Sequence, residues 1–299
     1  MNSFPGFKIA GKRARRPWDT LKAAVIIAAG LILSGCINDT MSISVRPDGS
    51  GTIEETVLMG NEFIEMMQNM GKNLNEEGKG ATGQAPAQDD ATKHEGVVSE
   101  MMEKAKNNVK DFGEGVRFVS VKPAKTDSAS GYTALYAFDD IGKVTVNQNP
   151  GGKAPLKGKE KEKGREKDVI RFVFTEGSPA RLSIHMPSPR PISKEKADRK
   201  GPAKNDPGAI EMMKAVFKDM KVSIALTIEG DIVKTNATYR SGRKITLVEM
   251  DFGRLISHAE LLQKIDKEQP QSIEEMKTML KNIEGLKLEF ENPVIIDFK

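Results

Sequence analysis

The side chains able to do chemistry in this chain are few and scattered. The three histidines, His94, His185 and His258, have no pairwise spacing of a metal-ligand set, and HExxH is absent. Asp139, Asp140, Glu249 and Asp251 could serve a hydrolase only if the fold brought them face to face. Asp48-Gly49-Ser50-Gly51-Thr52-Ile53 resembles the middle of a calcium loop, but Arg46 and Val57 then stand where that loop needs carboxylates. It reads as a hairpin turn. Met66, Met67, Met70, Met101, Met102, Met212 and Met213 could offer thioethers to Cu(I). Each falls on a helical stripe with Phe, Ile, Val or Leu, so they read as core, or as the lining of a pocket for a lipid tail. No G-x-S-x-G elbow and no phosphate-cradling glycine loop occurs. These residues predict no catalytic set, no cofactor and no metal.

One residue carries a sharper signal. Cys36 is the only cysteine in 299 residues. It closes the uncharged run 23–35, which follows Lys8, Lys12, Arg13, Arg15, Arg16 and Lys22. That run is too short to cross a hydrocarbon core of about 30 Å, which takes about 20 residues. The order basic, apolar, small is that of an export signal. Leu33-Ser34-Gly35-Cys36 resembles the lipobox of bacterial lipoproteins. The resemblance implies that the Cys36 thiol is diacylglycerylated, that residues 1–35 are removed as a lipoprotein signal peptide, and that the new amino terminus is acylated. Arg15-Arg16 could belong to a twin-arginine signal, but Pro17 follows directly, and general secretion fits better. With Cys36 acylated, no thiol remains for a disulfide, a thiolate metal site or a nucleophile.

Charge follows the same division. Of 46 Lys and Arg and 42 Asp and Glu, six basic residues and Asp19 lie in residues 1–35, leaving 40 against 41. The formal +4 therefore belongs to the signal, and nucleic-acid binding, which needs a concentrated basic face, is excluded. The insertion 157–167, KGKEKEKGREK, could lie against anionic headgroups, but its interleaved glutamates favour a solvated loop.

The elements that must position these residues follow from periodicity. Strands are predicted at 41–47, 52–59, 116–122, 132–138, 142–147, 168–175, 180–186, 221–229, 232–239 and 244–250, with a last extended segment at 286–298. Helical stripes fall at 61–74, 97–112, 209–220, 254–267 and 272–283. Polar stretches near 75–95, 148–167 and 187–208 read as flexible insertions. Hairpins interleaved with helices, without βαβ alternation, predict an α+β fold. Residues 36–299 would form a single envelope domain, an antiparallel sheet with amphipathic helices packed on one face, interrupted by those insertions.

Two segments, ISVRPDGSGTIEETV at 43–57 and its surroundings and IEGDIVKTNATYRSGRKITLVEMDF at 228–252, resemble uncharacterised bacterial envelope lipoproteins similar to the mycobacterial LppM family. The resemblance implies a mixed sheet-and-helix envelope domain, for which glycolipid binding has been proposed, and brings no catalytic residue. The expectation is a membrane-anchored, non-catalytic lipoprotein facing the periplasm, its partners the membrane through acylated Cys36 and a lipid or other hydrophobic envelope component. Ile37 after the cysteine leans toward the outer membrane rather than the inner. A scaffold recognising an envelope protein is the alternative, and a periplasmic hydrolase comes third.

Overall fold

The computed structural model describes residues 37–65, 90–147, 169–187, 220–257, 273–281 and 283–299. Cys36, the predicted export signal, most of the predicted helix at 209–220 and most of the three polar insertions lie outside the described residues.

The chain begins as a hairpin. β1 (Ile37–Val45) pairs antiparallel with β2 (Gly51–Gly60), Ile37 opposite Met59 and Val45 opposite Gly51. Its turn is built as the sequence predicts. Gly49 takes a φ of +81°, and Asp48 Oδ1 accepts from the Ser50 amide at 2.9 Å and from the Ser50 hydroxyl at 2.7 Å. Those bonds favour the ionised carboxylate, so Asp48 titrates below the ordinary aspartate value. A side chain on Gly49 would meet the Phe174 ring at 2.6 Å, besides opposing the positive φ.

β3 (Arg117–Lys125) and β4 (Ala129–Phe138) form a second hairpin that joins the first through β2 and β4. β8 (Lys221–Ile228) lies along β1 in parallel, and β11 (Lys244–Asp251) lies antiparallel to β8. With the two-residue β10 (Arg240–Ser241), the first sheet runs β10-β11-β8-β1-β2-β4-β3, and β12 (Leu286–Leu288) also pairs with β11. The second sheet runs β5-β6-β7-β13-β9: Thr145–Asn147, Val169–Thr175, Ala180–His185, Val294–Phe298 and Ile232–Thr235.

The helices described are α1 (Asp90–Asn107), continued by a tighter 310 turn at Asn108–Phe112, α2 (Phe252–Ser257) and α3 (Ile273–Leu280). A helical turn also follows β2 at 61–65. The α+β reading holds, with two refinements. The strands divide between two sheets, and β1 and β8 are parallel. The boundary of α1 also differs, since the helix begins at Asp90, inside the stretch 75–95 read as an insertion. An acidic residue is favourable at a helix N-terminus, where the partial charge is positive, and polar composition alone does not register this.

Alternation explains the core. Met41, Ile43 and Val45 of β1, Ile53, Val57 and Met59 of β2, and Tyr132, Ala134, Tyr136 and Phe138 of β4 are buried. They join Val146, Ile170, Phe172, Leu182, Ile184, Ile296 and Phe298 of the second sheet in one contiguous core. Each fully buried large apolar side chain contributes about 1.5–3 kcal/mol relative to exposure. Met101, Ala105 and Phe112 cap that core from α1 and its 310 extension.

The outer edge of the first sheet is defended against further pairing. β3 carries Pro123 and is bulged between Phe118 and Ser120, which leaves Val119 out of the ladder and 47% exposed. Lys122 and Lys125 on the same strand add charge to an edge that would otherwise offer free amides and carbonyls.

Arg181 on β7 holds Asp297 directly across on β13 with two of its three guanidinium nitrogens, Nε to Oδ1 at 2.7 Å and Nη2 to Oδ2 at 3.0 Å. The guanidinium holds the Asp297 carboxyl below the usual aspartate value. Because the folded value is depressed, this contribution is present above the unfolded value of about 3.9 and is lost as pH falls through the folded value. Urea midpoints measured on the acid side should therefore fall more steeply for wild type than for Asp297→Asn. Identical acid limbs for the two proteins would mean that the pair contributes no pH-dependent stability.

Candidate functional site: a buried carboxylate between two tyrosines

Six polar or charged residues are buried among the described residues: Asp39, Glu55, Ser130, Thr246, Glu289 and Asp297. Asp297 is held by Arg181, as above. Ser130 donates its hydroxyl to Asn61 Oδ1 at 2.8 Å. Glu289 accepts from the Thr238 amide and hydroxyl at 2.7 and 2.9 Å, and from the amides of Phe290 and Glu291 at 3.0 Å each. Four donors make it a structural clasp between the chain after β9 and the turn before β13.

Glu55 differs, because phenols deep in the core donate to it. Strand register puts it there. Gly51, Ile53, Glu55, Val57 and Met59 share the buried face of β2, and Glu55 is 2% exposed on it. Met41 lies opposite on β1 and Ala134 opposite on β4, so small and flexible side chains flank the carboxylate. One rung to either side on β4 stand Tyr132, level with Val57 and Asp39, and Tyr136, level with Ile53 and Ile43. Tyr132 donates to Glu55 Oε2 at 3.1 Å, and the Tyr136 hydroxyl lies 3.5 Å from the same oxygen.

Tyr136 has one hydroxyl proton and two acceptors. It lies 3.0 Å from the Ala105 carbonyl in the last turn of α1, a shorter and better bond than that to Glu55. Helix C-terminal carbonyls lack intrahelical donors, so this phenol ties the end of α1 to the sheet. Its ring packs at 4.7 Å from Phe112 and edge-on at 6.1 Å from Phe118. Of the two phenols, Tyr132 is thus the better donor to Glu55. Burial first, then the nearby Glu55 charge, pushes both phenols far above their ordinary value. Both stay protonated donors at any physiological pH. Asp39 adds its negative charge to the field at Tyr132.

A carboxylate and two phenols in an apolar interior can fix one polar group of a largely apolar ligand, or hold a proton.

The residues singled out from sequence are dispersed. Asp139 pairs with Arg117 at 2.9 Å, and Asp140 caps the 310 turn at Ile141–Lys143 by accepting from the Gly142 amide at 2.8 Å. Glu249 pairs with Lys287 at 2.8 Å and Asp251 with Lys221 at 3.3 Å. Phe138, just before Asp139, aligns with Gly51 and Val45, whereas Asp251 aligns with Lys221, beyond Val222 and Asp39. The two acidic pairs therefore sit toward opposite ends of the first sheet, and the hydrolase geometry does not form. His185 is exposed on β7, across from Arg171. His258, Met66, Met67, Met70, Met212 and Met213 lie outside the described residues, as does Cys36, whereas Met101 is buried and Met102 packs against the core. Among the described residues no three His, Cys, Asp or Glu converge as a metal site, and no helix is long and apolar enough to cross a membrane.

Sequence reasoning missed Glu55, Asp39, Tyr132 and Tyr136, although a signal was there. Glu55 is in phase with Ile53, Val57 and Met59, and Asp39 with Met41, Ile43 and Val45. An acid on the apolar phase of a strand is costly unless something within the core receives it.

No family model matches the chain, and no curated protein sequence is similar to it. Among solved structures, the NMR structure of the folded domain of LppM from Mycobacterium tuberculosis is similar at 11% identity with a TM-score of 0.27. That likeness covers 74% of this chain and 85% of that one, and it is a weak structural resemblance.

Proposed function

We propose that this chain is a bacterial envelope lipoprotein, anchored through acylated Cys36 and facing the periplasm, that acts by holding a lipid or other hydrophobic envelope component without catalysis. The observation that carries the reading is the order of basic segment, uncharged run and Leu33-Ser34-Gly35-Cys36 at the start of the chain. Ile37 after the cysteine favours the outer membrane over the inner.

The ligand half of the proposal draws on the core beneath α1. Met41, Met59 and Met101 are all buried in the core that α1 caps, and methionine adapts to irregular apolar shapes. Glu55 and its tyrosines supply the few convergent polar groups that orient a ligand in such a site. The alternative, a scaffold for a protein partner, calls for a contiguous exposed apolar patch. Among the described residues the exposed large hydrophobics are Val119, Val173 and Val233, on three non-adjacent strands, so the binder is preferred.

Native mass spectrometry of the protein expressed without its signal and with Cys36 replaced should show a co-purifying lipid mass. Tyr132→Phe should reduce the occupied fraction, since it removes the phenol that donates to Glu55 at 3.1 Å. A clean apo mass for the parent protein, after purification without detergent, would remove the ligand half of the reading.

A further inference from the structure

The start of β1 sets how the domain stands on its membrane. Ile37, the residue after Cys36, is already in the ladder opposite Met59. Consecutive Cα atoms are about 3.8 Å apart, so a lipidated Cys36 would be joined to the sheet with no tether between them.

We infer that the end of the first sheet at which β1 begins is the membrane-facing surface of the protein, lying among lipid headgroups; the inference rests on the acylation of Cys36 proposed above. That end is defined by register. Asn38 aligns with Leu58, Gly60 with Ala129, Lys125 with Ser130, and Val222 with Asp39. Among the described residues it therefore comprises the turn at 61–65, the β3–β4 connection at 126–128, the start of β8 and the end of β11, where Asp251 aligns with Lys221. The hairpin turn at Asp48–Ser50 lies at the other end, and strands of nine or ten residues separate the two by about 30 Å.

The surface has the character of a headgroup contact. Among the described residues Glu62, Glu65, Lys125, Asp127, Ser128 and Lys221 are exposed there, acids and bases interleaved, and the exposed valines Val119, Val173 and Val233 are not among its residues. Hydrogen-bonding and charged side chains suit the interfacial layer, whereas the hydrocarbon would be reached by the acyl chains alone. The end is also firmly built. The Asn61 amide donates to the Ser128 carbonyl at 2.9 Å, the Thr126 amide to the Ala129 carbonyl at 2.8 Å, and the Lys221 amide to Asn38 Oδ1 at 2.7 Å. The last of these ties the start of β8 to β1, the strand that follows Cys36, while the first two join the end of β2 to the β3–β4 connection and close that connection.

The test uses the full acylated chain in vesicles of phosphatidylethanolamine and phosphatidylglycerol. Acylation blocks the native thiol, so a single introduced cysteine can carry a fluorophore, at Asp127→Cys on the near end or Lys143→Cys by the far end. Headgroup-labelled nitroxide lipid should quench the label at 127 severalfold more than the label at 143. Equal quenching, or stronger quenching at 143, would overturn the orientation. Intact mass on the same samples separates the two claims. An acylated protein without the difference sinks the orientation alone, whereas a bare Cys36 thiol sinks the anchor and this inference with it. Inserting a Gly-Ser linker of about 20 residues, with an r.m.s. span of about 25 Å, after Cys36 should abolish the difference while acylation persists. Persistence of the difference would show that the short connection does not set the orientation.

Discussion

Tyr136→Ala is expected to lower the unfolding free energy by about 3–5 kcal/mol, the range for losing a large buried aromatic side chain. Tyr136 is fully buried, and its ring is the meeting point of Phe112 and Phe118. Truncation would therefore open a void where the 310 turn after α1, β3 and β4 converge. It would also remove the phenol that holds the Ala105 carbonyl, so the end of α1 loses its tie to the sheet. Denaturant unfolding of the protein without its signal is the direct measurement. Since domains of this kind are stable by only about 5–15 kcal/mol, the alanine variant could fail to accumulate, and Tyr136→Phe serves as the second arm. The phenylalanine ring keeps the packing and forfeits the hydroxyl, an expected cost of about 1–3 kcal/mol from the acceptor left behind. A loss below about 1 kcal/mol for the alanine variant would contradict the burial described for this residue.

Cys36→Ala is expected to produce the largest change in behaviour. Without a thiol the diacylglycerol cannot be attached, and signal removal that depends on the modified cysteine stops with it. The variant should appear as an uncleaved form in the inner membrane or as a protein in the soluble export compartment, without incorporated palmitate. The size of the effect follows from chain burial. Each methylene contributes about 0.8 kcal/mol, so one chain binds only reversibly while two or three on one residue hold effectively permanently. Fractionation with radiolabelled palmitate and intact mass are the measurements. Wild-type fractionation and processing in the variant would end the lipoprotein reading, as would a native product bearing a free sulfhydryl at Cys36.

The buried carboxylate illustrates where sequence reading stopped. Three features of the Glu55 site were legible in TIEETVLM at 52–59 and YTALYAF at 132–138: the alternation, the acid in phase with isoleucine and valine, and the two tyrosines four residues apart on one strand face. Their convergence was not legible, because it depends on β2 and β4 being neighbours in one register, which places Ala134 rather than a bulky residue beside the acid. The dispersal of Asp139, Asp140, Glu249 and Asp251 was hidden for the same reason. Spacing along the chain says nothing about which end of a sheet a strand terminus reaches.

By itself the sequence determined what local physics controls. The Asp-Gly turn, the phase of each strand and the apolar stripe of α1 all arise from residues within a few positions of one another, through steric limits, capping and hydropathy. The tertiary structure alone decided the partnership of β1 with β8, whose registered residues lie about 180 positions apart, and the division of the strands between two sheets. Period-two alternation tells each strand which face to bury and leaves its neighbour open. That choice is made by the closing of the shared core, in which every strand has to bury its apolar face against all the others at once.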